Sequence, residues 1–217
     1  MITSPHSIKV SFISRLVDRE DPLILEIGCN DGGDTAKLVT EFPYGTVYAF
    51  EPDERPLRRF CATSRVVHLH RVAIGAYDGW GTLHLSGGTS PYAPQLDWDL
   101  SSSLRAPTGH LVAFPWCTFT NDVKVEVRKL DSWCDEWIPG KEIDFIWADV
   151  QGCEGDLIEG GYRTLCERTK FLYTEFCHDP LYDGQIKLCD ILERLPEFEN
   201  VGIFENCNVL LRNRNKA

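Results

Sequence analysis

The stretch Pro22-Leu-Ile-Leu-Glu-Ile-Gly-Cys-Asn-Asp-Gly-Gly-Asp-Thr35 constrains the fold more than any other part of the chain. Leu23 to Ile27 is a short apolar run broken only by Glu26, the pattern of a strand covered on both faces in a parallel sheet. Gly28, Gly32 and Gly33 supply a turn, and Asp34 onward opens a helix. Strand, glycine turn and helix together form the nucleotide cradle of doubly wound α/β folds.

The spacing discriminates among nucleotides. A dinucleotide fingerprint has a glycine where Asn30 stands, so that backbone can approach a pyrophosphate. Here the pattern is Glu26-x-Gly28-x-Asn30-x-Gly32. Asn30 crowds a diphosphate, and an acid at the strand end opposes an anion. Both suit S-adenosylmethionine, which carries a sulfonium and an α-amino group and no phosphate. A tight βα connection without a ligand is the plainer alternative. A second strand, Thr46 to Glu51, ends in a carboxylate one βαβ unit later, where such an acid accepts hydrogen bonds from ribose hydroxyls. Pro52 stops that strand by removing a donor.

The rest of the chain alternates in the same way. Apolar residues from Ile8 to Val17 predict an amphipathic helix over 7–19, within an N-terminal element spanning 1–21. Strands are expected at 23–28, 46–51, 66–70, 123–127, 143–150 and 171–176. Helices are expected at 34–42, 54–62, 132–137, 154–167 and 185–195. Two final strands fold around Glu205 and Asn206, between 201 and 212. This order predicts one α/β domain over 1–217: a doubly wound, mostly parallel, seven-stranded sheet with a C-terminal antiparallel hairpin. The segment 86–121 breaks the alternation, with Pro91, Pro94, Pro107, Pro115, Gly87, Gly88 and Gly109 among Tyr92, Trp98, Phe114 and Trp116. It reads either as a lid over the substrate or as a flap covering the sheet edge.

Composition bounds partners and compartment. The 217 residues carry a formal net charge of −11, unsuited to nucleic acid or an anionic membrane surface. No leader pattern opens the chain and no apolar run reaches spanning length. Nine cysteines without a Cys-x-x-Cys pair read as free thiols in a reducing, cytoplasmic setting.

An ordered set of motifs follows: Glu26-Ile-Gly-Cys-Asn-Asp-Gly, Phe50-Glu-Pro52, Val72-Ala-Ile-Gly-Ala-Tyr-Asp-Gly79, Ser101-Ser-Ser-Leu104, Val127-Arg-Lys-Leu-Asp131, Ile143-Asp-Phe-Ile-Trp-Ala-Asp-Val-Gln-Gly-Cys-Glu154 and Glu175. Over 22–178 this set resembles the FkbM family of S-adenosylmethionine-dependent methyltransferases. The resemblance implies a class I methyltransferase (Rossmann-like) fold and methylation of a hydroxyl on a sugar or natural product. It implies that Glu26, Gly28, Asn30 and Gly32 bind the methionine end of the cofactor and that Glu51, beside Pro52, holds the ribose. Val72 and Ala73 then line the adenine, and Ser102 and Asp149 lie close by. The chain departs from the family's Lys-x-Asp-x-Glu-Gly strand end at Trp147 and Gln151, while Asp149 and Glu154 are kept.

Methyl transfer needs alignment above all, and a weak hydroxyl nucleophile gains from a nearby base. Asp149, Glu175 and His178 follow or end strands whose carboxyl ends border the crevice, so they are the candidate catalytic residues. Histidine side chains in general exchange protons near neutral pH, so His178 is the favoured base; a solvated loop histidine is the plainer reading. A divalent metal among these acids is compatible but not favoured, and no metal ligand is assigned. The acceptor is expected to be a small molecule; the oligomeric state stays open. An NAD-dependent oxidoreductase and a cofactor-binding interaction domain without turnover are the alternatives. The motifs of DNA amino-methyltransferases and cytosine-5 enzymes are missing.

Overall fold

The computed structural model describes residues 2–4, 6–95 and 97–217; Met1, Pro5 and Leu96, in the expected N-terminal element and the 86–121 segment, lie outside them. Strands β1 (Ile2–Ser4), β2 (Leu23–Ile27), β3 (Thr46–Phe50), β4 (Val67–His70), β8 (Ile143–Ala148), β9 (Thr169–Glu175), β10 (Phe198–Phe204) and β11 (Asn208–Asn213) form one sheet. Its order is β1-β10-β11-β9-β8-β2-β3-β4. All neighbours pair in parallel except β11, which runs antiparallel to both β9 and β10. The expected seven strands and the C-terminal hairpin are present, and β1 adds an eighth at the edge.

Alternation of side chains explains the two layers. Every residue of β2 is buried. Leu25 and Ile27 face one side, with Trp133 and Leu130 of α5 (Leu130–Trp137), Leu157 and Leu165 of α6 (Glu154–Arg168) and Ile191 of α7 (Leu188–Arg194). Ile24 faces the other, against Ile13 and Val17 of α1 (Val10–Val17) and Leu38 of α2 (Gly33–Glu41). Each such side chain, fully buried, contributes about 1.5–3 kcal/mol relative to exposure. The chain leaves β2 toward β3 and β4, then returns to β8 on the opposite flank. The β2–β8 junction is therefore the topological switch point, where ligands of such sheets bind.

Three local differences matter for the site. The helix expected over 54–62 is only α3 (Glu54–Leu57). Beyond it Cys61 N–H donates to the Asp31 carbonyl at 2.9 Å, and a Cβ on Gly32 would lie 2.7 Å from the Phe60 ring. The chain thus leaves the helix to brace the glycine turn. The strand expected at 123–127 is the end of a longer one, β7 (Cys117–Arg128). It pairs antiparallel with β6 (Gly79–Gly88) and in parallel with β5 (Ala73–Ile74), forming a second sheet. The segment between β6 and β7 is the irregular excursion, whose described residues contain the short α4 (His110–Ala113). Among the described residues no helix is long and apolar enough to cross a membrane.

Candidate active site

The turn after β2 is built for close approach. Gly28 has φ +90, and a Cβ there would lie 1.9 Å from the Asp149 carbonyl oxygen, so only glycine lets β2 and β8 stay together at this point. Asn30 also has positive φ, a region that asparagine tolerates. Its side chain donates to the Asp99 carbonyl at 3.3 Å, tying the excursion to the turn.

Above the switch point lies a cavity of about 220 Å³. Gly28, Asn30, Glu51, Pro52, Val72, Ala73, Ser102 and Asp149, eight of the expected cofactor residues, line it. Phe50, Ile74 and Leu83 give one end apolar walls. The described lining holds three acids, Glu51, Asp99 and Asp149, and no lysine or arginine.

Glu51 is held by backbone: its carboxylate accepts from Asn30 N–H at 2.9 Å and from Asp53 N–H at 2.8 Å. Burial pushes its pKa up to about 7, against the pull of those two hydrogen bonds. Asp99 pairs with Arg59 at 2.7 Å. Ser102 Oγ donates to Asp53 at 3.1 Å and accepts from Arg55 at 3.0 Å.

At the other wall the buried Glu154 meets the half-buried Asp149 and Glu175. Asp149 is raised by burial. Glu175 is held well above the usual carboxylate range, first by the charge of Asp149 and then by burial. Burial also lifts Glu154 to about 7, and its Oε2 has no protein partner. Gln151 Nε2 donates to Asp149 Oδ1 at 2.6 Å and lies 3.5 Å from Glu175 Oε2. Among the described residues no group of three or more His, Cys, Asp or Glu side chains is placed to hold a metal ion.

Three expected residues are placed differently. Glu26 does not line the cavity; it lies two residues below the end of β2, on the α2 face, where Thr35 Oγ1 donates to it. Burial lifts its pKa to about 8. Gly32 caps α2 and also lies outside the lining. His178 is exposed, with Nε2 2.8 Å from the Asn206 carbonyl oxygen, because the strand beyond Glu175 turns toward the β10–β11 connection and away from the cavity. Asp99, Gln151 and Tyr182 escaped the functional reading. Gln151 carried one signal, its departure from the family pattern. Tyr182 and Asp99 lie in loops without periodicity.

Residues 26–208 match the family model described as a methyltransferase FkbM domain. The 2-O-methyltransferase NoeI of Sinorhizobium fredii is 42% identical over 209 residues, covering 93% of this chain and 83% of that protein. Methyltransferase 1 of Beauveria bassiana is 23% identical over 150 residues, 65% of this chain and 59% of that one. A solved structure of a candidate rRNA-methylase from Clostridium thermocellum aligns with a TM-score of 0.51 at 11% identity, covering 96% of this chain and 94% of that one. That last likeness is one of fold. With most of its length matched by the domain model and by a 42% identical methyltransferase, the chain belongs to the FkbM methyltransferase family.

Proposed function

We propose that this methyltransferase uses S-adenosylmethionine to methylate a hydroxyl of a sugar or related small molecule. The observation that carries the cofactor reading is the cavity lining, with three acids and no basic side chain at the switch point. That set of acceptors fits a cationic sulfonium with an amino group and opposes the phosphates of NAD. Glu51 is positioned to accept from ribose hydroxyls, the apolar end with Phe50, Val72 and Ile74 suits adenine, and Asp149 faces the methionine end. The name of the 42% identical relative, a 2-O-methyltransferase, supports oxygen as the acceptor atom.

When bound, S-adenosylmethionine supplies a methyl carbon already activated by its sulfonium. The protein's task is then orientation and removal of the hydroxyl proton. Burial raises Asp149, and the charge of Asp149 together with burial holds Glu175 well above the usual carboxylate range, so the pair is a site more basic than an ordinary carboxylate. We assign the hydroxyl proton to that site, with Asp149 placing the acceptor against the cofactor cavity. His178, exposed beside Asn206, has no part in this step. The nine free thiols support a reducing compartment such as the cytoplasm, and the net charge of −11 supports a small-molecule acceptor over nucleic acid.

Calorimetry tests the cofactor reading. S-adenosylhomocysteine should bind and NAD should not, and Glu51→Gln should weaken the nucleoside by about 1.5–3 kcal/mol, the worth of a hydrogen bond to a charged group. Preferential NAD binding overturns it. Transfer of labelled methyl to a panel of methyl glycosides tests the acceptor class.

A further inference from the structure

We propose that the groove between α1 and α2 is the acceptor subsite and seats a sugar ring against Trp147. The inference rests on the hydroxyl-methylation reading above and names where that acceptor lies. The groove encloses about 710 Å³ and is lined by Lys9, Asp34, Lys37, Thr40, Glu41 and Trp147, with the chain entering α1 as its rim.

Strand register relates this groove to the chemistry. Trp147 pairs with Glu26 on one side and with Tyr173 on the other, so all three face α1 and α2. Two residues further on, Asp149 and Glu175 follow on the same side, about 6–7 Å along the strands at the usual rise. The ladder still holds there, since Asp149 N–H donates to the Ile27 carbonyl at 2.8 Å. Asp149 also lines the cofactor cavity. The carboxyl pair therefore stands where cavity and groove approach each other. A molecule resting on Trp147 would bring one group to that pair, opposite the cofactor. The charge of Asp34, in the first turn of α2, reaches Asp149 and raises its pKa, consistent with this proximity.

The lining selects the occupant. A pyranose presents C–H groups on its faces and hydroxyls around its rim. Trp147 offers a half-buried plate, held from its edge by Tyr173 with ring centroids 5.1 Å apart. Asp34, Lys37 and Glu41 project from one face of α2 at spacings of three and four, and Thr40 stands beside them. Carboxylates accept from adjacent hydroxyls, while lysine donates to a ring or hydroxyl oxygen. Lys37 already pairs with Asp34 at 2.6 Å and Thr40 donates to the Ala36 carbonyl at 2.7 Å, so a sugar would join an existing polar row rather than satisfy bare charges.

The test titrates methyl glycosides into protein saturated with S-adenosylhomocysteine and measures methyl transfer in parallel. Two variants are used. Trp147→Ala removes the plate, and the double variant Asp34→Asn, Glu41→Gln changes only partly exposed side chains, so it keeps the fold even if the first does not. In both, glycoside affinity should fall and acceptor KM should rise about tenfold or more, with S-adenosylhomocysteine affinity unchanged. Trp147→Phe should recover part of the loss. If wild-type protein methylates a glycoside and the double variant and Trp147→Phe both keep its KM, the groove is not the subsite, although the activity stands. If no glycoside is bound or methylated, the sugar class falls and the groove assignment falls with it.

Discussion

Gln151 joins Asp149 and Glu175 through one amide, with Nε2 2.6 Å from the first carboxylate and 3.5 Å from the second. Its own Oε1 lies 3.0 Å from the Tyr182 hydroxyl, which is also 2.9 Å from the Ser101 carbonyl. The acid pair is therefore fastened to the excursion through a neutral side chain. A carboxylate at this position would have added a third charge to the cluster.

This arrangement predicts the behaviour of Gln151→Ala. The amide lowers the pKa of Asp149, working against burial, which raises it. Without the amide the pair takes up protons more readily, so the acidic limb of the pH–rate profile should move to higher pH. At neutral pH the rate should fall about ten- to a hundredfold, less than the ~10²–10⁴ expected on removing a general base. Gln151→Glu should move the limb further in the same direction. A profile whose limb stays in place in both variants would reduce Gln151 to a space-filling role.

What was legible in the sequence was set locally. Gly28, Glu51 and Asp149 sit at strand ends, and a strand end in a parallel sheet points to the crevice whatever the rest of the chain does. Glu26 lies two residues before Gly28, inside the strand rather than at its end, and there Thr35 of α2 covers it. The second sheet was not legible, because β6 is glycine-rich and only Leu83 and Ser86 along it are buried. Its partner lies some thirty residues on, across the excursion. The orientation of His178 depends on the Asn206 carbonyl in a turn at the far end of the chain. Such long-range pairings leave no periodic trace.

Arg55 latches the excursion to the body. Its guanidinium donates to the Ser86 carbonyl at 2.7 Å and to Ser102 Oγ at 3.0 Å, and pairs with Asp53 at 2.7 Å. Arg55→Ala should speed proteolytic cleavage within 89–116 and lower stability, since Asp53, only 3% exposed, loses its counter-charge. Adding Asp53→Asn should recover much of the stability without restoring resistance to protease. We propose that cofactor and acceptor together protect the same segment, as a substrate lid would. Equal cutting rates in wild type and both variants would show that Arg55 does not restrain the excursion.

Glu26 should make the fold sensitive to alkaline pH. Its carboxyl is 2% exposed and accepts from Thr35, and burial lifts its pKa to about 8 from an ordinary value near 4.5. A folded-state pKa above the unfolded one means that the stabilising contribution is complete below the unfolded pKa. It is then lost as pH rises through the folded one, at up to about 1.4 kcal/mol per pH unit. Glu26→Gln keeps an acceptor for Thr35 and cannot ionise. Denaturant titrations at several pH values should give nearly equal stabilities for the two proteins near pH 4, with the variant increasingly the more stable toward pH 8. Glu51 and Glu154, which burial also lifts, titrate in both proteins and cancel in the difference. Parallel stability curves across this range would mean that Glu26 is already ionised in the folded protein at neutral pH, and the neutral hydrogen bond to Thr35 would have to be replaced by a charged one.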